Sequence, residues 1–298
     1  MIWLQFAISA WLVVFAAVFL ARYGDVIALR TGLGSFFIGA ALLAMATSLP
    51  ELLTALNAIK LGVPSLSVGD LLGSSMFNML MLAILDLLYQ QRRVLRQVGT
   101  MHALNAGLAV LLTGLAIFFI QAKLDLQIGW VGLDSLILIG IYLFGMRLIN
   151  NQSRQSVSHV GVAGGVPQNT PTLAVAAVGF VLATALLVAV TPWLVHSAIA
   201  IVDVTGLSTV FVGAALVAVV TSLPEAATTV SAVRIGAYNL AIGNLFGSNA
   251  FNMFALGIVD IFYLQGRFLA TIDPSLTLIG LMALLLTCMG LILSLIHI

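Results

Sequence analysis

The chain has 298 residues, of which 62% are hydrophobic and only 7% charged, and its mean hydropathy is +1.19. Soluble domains carry about a quarter charged residues, so that class is excluded and a polytopic membrane protein is indicated. A formal net charge of +1 speaks against a nucleic-acid surface, and a single cysteine, Cys288, excludes an internal disulfide or a thiolate metal cage.

In chain order, residues 1–21 lack the basic start of a cleavable signal. At about 1.5 Å per residue they are long enough to cross a hydrocarbon core of about 30 Å, and they are read as the first span. Apolar runs separated by polar or Gly/Pro-marked breaks then predict nine transmembrane segments, near 2–21, 34–59, 65–89, 99–121, 128–149, 172–192, 208–233, 238–263 and 274–296. Residues 150–170, rich in Ser, Gly, Asn and Gln, read as a flexible linker. They divide a first five-helix repeat, 1–149, from a second, 171–298. On this plan Lys60, Lys123 and Arg267 fall on one side, and Arg22, Arg30, Arg92, Arg93, Arg96, Arg147, Arg154 and Arg234 on the other. The basic side faces the cytoplasm, which puts the N-terminus outside and the linker inside.

One stretch is written twice. Thr31 to Tyr89 lies over Thr205 to Tyr263 without a gap, at a constant offset of 174: TSLPE meets TSLPE, and GDLLGSSMFNM meets GNLFGSNAFNM. The two copies are five spans apart. An odd separation inverts direction, so they form an inverted pair of the kind that places a transport site at the bilayer midplane. A five-plus-five plan calls for a tenth helix, which is missing. The closing residues Leu293–Ile298, LSLIHI, match one reading frame of a common sequencing adapter, and a truncated gene with an artefactual end is the expectation.

Glu51 and Glu225 fall inside membrane-spanning runs, where an acidic side chain costs roughly 2.5–3.5 kcal/mol on insertion scales. Ala44, Thr47, Ser48 and Glu51 share one helix face by their i, i+3, i+4, i+7 spacing, as do Ala218, Thr221, Ser222 and Glu225. Pro50 and Pro224 remove the donors of the Ala46 and Val220 carbonyls. Carbonyls, hydroxyls and carboxylates together suit a hard cation, Ca²⁺, Na⁺ or Mg²⁺. Asp70, Ser74 and Asn78, and Asn244, Ser248 and Asn252, form facing stripes at a spacing of four. Gly69, Gly73, Gly243 and Gly247 are small-xxx-small pairs that let helices approach closely. Asp86 and Asp260 read as helix-end residues, His102, His159 and His196 as surface or snorkelling ones, and Cys288 as a buried hydrophobe.

The doubled TSLPE helix followed by a GN-x-x-G-S-N-type helix resembles the sodium/calcium exchangers of the cation/calcium antiporter superfamily. The resemblance implies an antiporter, not an enzyme, with no cofactor, working in the lipid bilayer on Ca²⁺ and Na⁺ and with no protein partner inferable. It implies a central Ca²⁺ held by Glu51, Glu225 and the Thr47 and Thr221 carbonyls. The Na⁺ ions would use Ala44, Thr47, Ser48, Glu51 and Ser74 in one set, and Ala218, Thr221, Ser222, Glu225 and Ser248 in the other. Spans 1 and 6 would slide to alternate access.

Departures from the pattern affect charge. The family commonly has aspartate at Asn252, whereas Asn78 and Asn252 are both amides here, and Asp70 stands where asparagine is usual. Asp70 is expected either to restore a carboxylate at the outer mouth or to be a solvated residue there. Exchange for H⁺ or of another divalent ion on the same scaffold is the alternative function. An intramembrane aspartyl protease, suggested by Val68-Gly69-Asp70 alone, lacks a second aspartate because its counterpart is Asn244. The absence of a large loop after the fifth span favours a prokaryotic cell membrane.

Overall fold

The computed structural model describes residues 1–31, 43–89, 100–157, 170–234 and 236–295. Among them, helix α1 is Ile2–Thr31, followed by α2 (Ala44–Thr47), α3 (Leu49–Lys60), α4 (Pro64–Leu88), α5 (Thr100–Ala122) and α6 (Leu133–Val157). Helix α7 spans Leu173–Thr205, and the second copy of the repeat opens with α8 (Thr209–Phe211) and a π-helical stretch Val212–Val217. Then come α9 (Ala218–Thr221), α10 (Leu223–Arg234), α11 (Tyr238–Phe262) and α12 (Leu276–Leu295).

Among the described residues seven helices are individually long and apolar enough to cross a membrane, and Thr209–Thr221 with Leu223–Arg234, bent by 43°, make an eighth if the bent pair counts as one span. The expected span at 34–59 is described only from Leu43 onward, as α2 and α3, since residues 32–42 lie outside the described residues.

Several boundaries differ from the sequence reading. Helix α1 continues past residue 21 to Thr31, because a helix stops at a breaker rather than where hydropathy falls. Helix α7 passes straight through Pro192 to Thr205; an interior proline is tolerated in a membrane helix when neighbours re-satisfy the freed backbone. That helix starts at an N-cap, Thr172, which accepts a hydrogen bond from Val175 N, and stops at Gly206, whose φ of 71° is left-handed. Its 33 residues exceed one bilayer thickness. Helix α6 likewise invades the expected linker through Val157. The remaining linker residues 158–169, with His159, lie outside the described residues.

A short ribbon, Gln127–Ile128 paired with Val131–Gly132, precedes α6 where helix had been expected from residue 128. Gly129, at φ 67°, makes its turn. Asp260, at the end of α11, accepts from Gly132 N (2.8 Å) and Phe268 N (3.0 Å), so its buried carboxylate ties this ribbon to the loop after α11. That is the helix-end role read for it. Arg267 pairs with Asp125 at 3.2 Å on the same side.

Helices α1 and α7 pack along their length. The Tyr23 ring covers Gly179, Gly24 meets Phe180, and Arg30 donates to the Thr170 and Pro171 carbonyls, which makes the pair antiparallel. Elsewhere α4, α5, α11 and α12 pack together, with Leu71, Leu72, Leu112, Ile120, Met253 and Leu256 buried among them. Glycines set how closely α4 meets the second copy. A Cβ on Gly73 would lie 2.5 Å from Ala214 O, and one on Gly213 would lie 2.7 Å from Leu66 O. Backbone atoms cannot rotate away, so Gly73→Ala should destabilise the protein by about 2 kcal/mol. Gly140→Ala, which meets nothing within 4 Å, should change stability little. Thermal unfolding in detergent compares the two.

Candidate functional site

The TSLPE helix breaks at its serine in both copies. Ser48 (φ −89°, ψ 8°) and Ser222 (φ −87°, ψ 1°) lie outside helical geometry, each followed by a proline at the second position of the next helix. The proline ring and its missing N–H stop the preceding ladder. Ser48 N still reaches Ala44 O, and Ser222 N contacts both Ala218 O and Val220 O, so the Val220 carbonyl keeps a neighbouring donor that its sequence position did not suggest.

The side chains at the break reach into the opposite copy. Ser48 Oγ donates to Glu225 Oε1 at 2.9 Å, and Ser222 Oγ donates to Glu51 Oε1 at 3.2 Å. Thr221 Oγ1 lies 2.9 Å from Asp70 Oδ1, and Thr47 Oγ1 lies 3.3 Å from Asn244 Oδ1. Contacts that return when the copies are exchanged are what a two-fold relation produces. The two glutamates thus meet at one place instead of facing lipid. Both are buried. Asp70 is fully buried, which corrects the reading of it as a solvated residue at a mouth.

Other expected residues are arranged differently. Ser74 Oγ sits 3.4 Å from Thr221 Oγ1 and 3.5 Å from Ala218 O. Ala44 O and Ala218 O already accept from Thr47 and Thr221 Oγ1 at 3.2 Å each. Asn78 and Asn252 belong to a second network that the sequence reading missed. Asn78 Nδ2 donates to Asn249 Oδ1 (3.0 Å), Asn249 Nδ2 donates to Ser75 O (3.1 Å), and Asn252 Nδ2 donates to Leu71 O and Ser75 Oγ, both at 3.3 Å. Ser75 and Asn249 are counterparts at the offset of 174, and their place just after Ser74 and Ser248 was the available signal. His102 is buried, and its ring meets Asn239 Oδ1 at 3.1 Å, against the surface reading, whereas His196 is exposed.

These bonds leave a set of buried oxygens unmatched: Glu51 Oε2, Glu225 Oε2, Asp70 Oδ2, Ser248 Oγ, Asn78 Oδ1 and Asn252 Oδ1. In both amides the nitrogen is engaged and the oxygen left over. Among the described residues no three His, Cys, Asp or Glu side chains converge tightly enough to hold a metal by themselves, so any cation here would draw on hydroxyl, amide and backbone oxygens as well. Nor does any described Lys or Arg pair with the three carboxylates. Burying an ionised carboxylate without a counter-charge costs several kcal/mol, and a cation bound among these oxygens would remove that cost.

The model of the family described as sodium/calcium exchanger protein matches residues 1–149 and 175–297. The chain belongs to that family. It is 30% identical over 244 residues to the putative antiporter CaxA of Alkalimonas amylolytica, covering 79% of this chain and 72% of that one. It is 28% identical over 290 residues to the sodium/calcium exchanger MaX1 of Methanosarcina acetivorans, covering 82% and 78%. In fold it is similar to the crystal structure of the H⁺/Ca²⁺ exchanger CAX, with a TM-score of 0.77 at 15% identity, over 99% of this chain and 77% of that one. The family and the apolar helices make this member of the exchanger family an integral membrane protein.

The paired hydroxyl contacts are unequal, and this has a measurable consequence. Thr221→Val takes from Asp70 the hydroxyl that meets it at 2.9 Å, leaving a buried carboxylate oxygen unmatched, at a cost of roughly 1–3 kcal/mol. Both variants lose bonds back to their own helix, and across the copies Thr47→Val loses a 3.3 Å contact to an amide whose nitrogen stays bonded to Thr228 and Thr229. Thr221→Val should therefore melt distinctly lower than Thr47→Val in cation-free detergent.

Proposed function

We propose that the protein is a secondary antiporter exchanging Ca²⁺ for Na⁺ by alternating access around the Glu51–Glu225 centre. The observation that carries this reading is the crossed pair of serine–glutamate hydrogen bonds, which joins the two carboxylates and leaves one oxygen of each unmatched. Ca²⁺ takes six to eight oxygen ligands. Glu51, Glu225, the Thr47 and Thr221 carbonyls and the free amide oxygens of Asn78 and Asn252 are offered as its ligands. Na⁺ ions share the glutamates and add the hydroxyls of Ser48, Ser74, Ser222 and Ser248, with the Ala44 and Ala218 carbonyls at the helix breaks. Asp70 adds an outer carboxylate that partly offsets the one Asn252 does not give.

Both cations depend on the same negative charges, so full occupancy by one excludes the other. A site that must be filled to be neutral has a reason not to cross the membrane empty, and that is what couples the opposite fluxes. Helices α1 and α7, packed on each other more than on the centre, are the pair proposed to move. A prokaryotic inner membrane with the N-terminus outside is the location proposed, and the excess of arginine on one side and the bacterial and archaeal relatives support it.

Proton coupling on the same scaffold is the second reading, favoured by the fold similarity to CAX. Radiolabelled Ca²⁺ uptake into Na⁺-loaded vesicles, with Na⁺ and pH gradients varied separately, decides between them. Uptake should follow the Na⁺ gradient at constant pH, and Glu51→Gln or Glu225→Gln should each abolish it. Uptake that follows pH and ignores Na⁺ would transfer the assignment to proton exchange.

A further inference from the structure

The two copies diverge where the third helix faces the fourth. In the second copy the polar row is closed. Asn244 Nδ2 donates to Thr228 Oγ1 at 3.1 Å and Thr229 Oγ1 at 3.2 Å, and Thr228 Oγ1 lies within 3.0 Å of the Pro224 and Glu225 carbonyls. The residue one turn before Asn244 is Ala241, with nothing polar to satisfy.

In the first copy the same three places hold Asp70, Thr54 and Ser67, and Ala55 stands where the second copy has Thr229. All three polar side chains are fully buried, and Asp70 Oδ2, Thr54 Oγ1 and Ser67 Oγ are each left without a hydrogen-bond partner. Ser67 and Asp70 are three residues apart on one face of α4, and Thr54 is one turn beyond Glu51 on α3. Asn244 and Thr228, the counterparts of Asp70 and Thr54, meet directly at 3.1 Å, whereas Asp70 Oδ2 and Thr54 Oγ1 make no hydrogen bond to each other.

Buried polar atoms in native proteins are matched by protein, water or an ion, and unmatched ones mark where such a partner belongs. Water could serve the two hydroxyls, but it does not compensate a carboxylate. A hard cation does both, since it takes hydroxyl and carboxylate oxygens and brings the missing charge. Ser67 and Asp70 lie between the Leu61–Val63 turn and Ser74, so a cation there stands between the end of the helix pair and the glutamate centre.

We propose that Asp70, Thr54 and Ser67 form an outer subsite for a partly hydrated cation, present in the first copy and absent from the second. It rests on the reading of the glutamate centre as a cation site. Its consequence is that ions meet a carboxylate before the centre from the side of the Leu61–Val63 turn, and meet Asn244, Thr228 and Ala241 in the matching places from the other.

The test uses the full chain in proteoliposomes, with Ser67→Cys placed in a Cys288→Ser background and a membrane-impermeant thiol reagent applied to each side in turn. Modification is expected from the side of the Leu61–Val63 turn, slowed several-fold by Ca²⁺, and the protection should disappear when Asp70→Asn is added. Thr54→Cys serves as a second position, with the same result expected. Ala241→Cys, the counterpart of the first, should show no Ca²⁺ protection. Labelling at Ser67→Cys and Thr54→Cys that Ca²⁺ leaves unchanged, no labelling at either from both sides, or equal protection at Ala241→Cys would each overturn the subsite. Protection with no Ca²⁺ flux under any gradient would support the subsite and remove the transport reading instead.

Discussion

The structure depends on two hydrogen bonds that cross between copies of one motif, Ser48 to Glu225 and Ser222 to Glu51. Each copy alone would bury a glutamate with no partner of opposite charge and a serine with no acceptor. Placed together, each supplies what the other lacks, yet only one oxygen of each carboxylate is satisfied. The negative charge remains. Folding has therefore brought two carboxyl groups to one place without a fixed counter-charge, and a shared proton or a bound cation relieves the repulsion between such a pair.

The rest of the fold serves to bring those two breaks together. Pro50 and Pro224 stand directly before the glutamates in the first turn after each break, so the carboxylates sit beside the break rather than within a closed ladder. Gly73 and Gly213 then allow backbone of one copy to touch backbone of the other. Around this centre, amides rather than charges finish the lining, because Asn249 and Ser75 take up the nitrogens of Asn78 and Asn252 and leave their oxygens unmatched.

Much of this was legible in the sequence. Spans near 65–89, 99–121 and 238–263 lie within a residue or so of helices in the structure, since hydropathy and a polar break at each end mark such helices well. The helices ending at Thr31, Val157 and Thr205 were read short because a polar residue or a proline is a weak stop when the backbone ladder can continue. The ribbon at 127–132 was missed because two-residue strands have no periodicity to detect. Within the site, spacing alone put Thr47, Ser48 and Glu51 on one face, and the repeat doubled them. Asn249, Asn244, Thr54 and Ser67 were given no bonding role, as their importance lies in which atoms they satisfy or fail to satisfy.

What the amino-acid order determined by itself is the membrane class, the duplication and the kind of chemistry. Those follow from composition and from residues adjacent along the chain, where hydropathy, proline and helical spacing act locally. Tertiary structure alone decided that Glu51 answers to Ser222 and not to Ser48, that Asp70 is buried against Thr221, and that the first copy keeps oxygens the second has satisfied. The first two are contacts between residues more than a hundred positions apart and the third turns on neighbouring helices, with Asn244 and Thr228 16 positions apart, and such pairings are set by how helices pack, through the few glycines that let backbones touch.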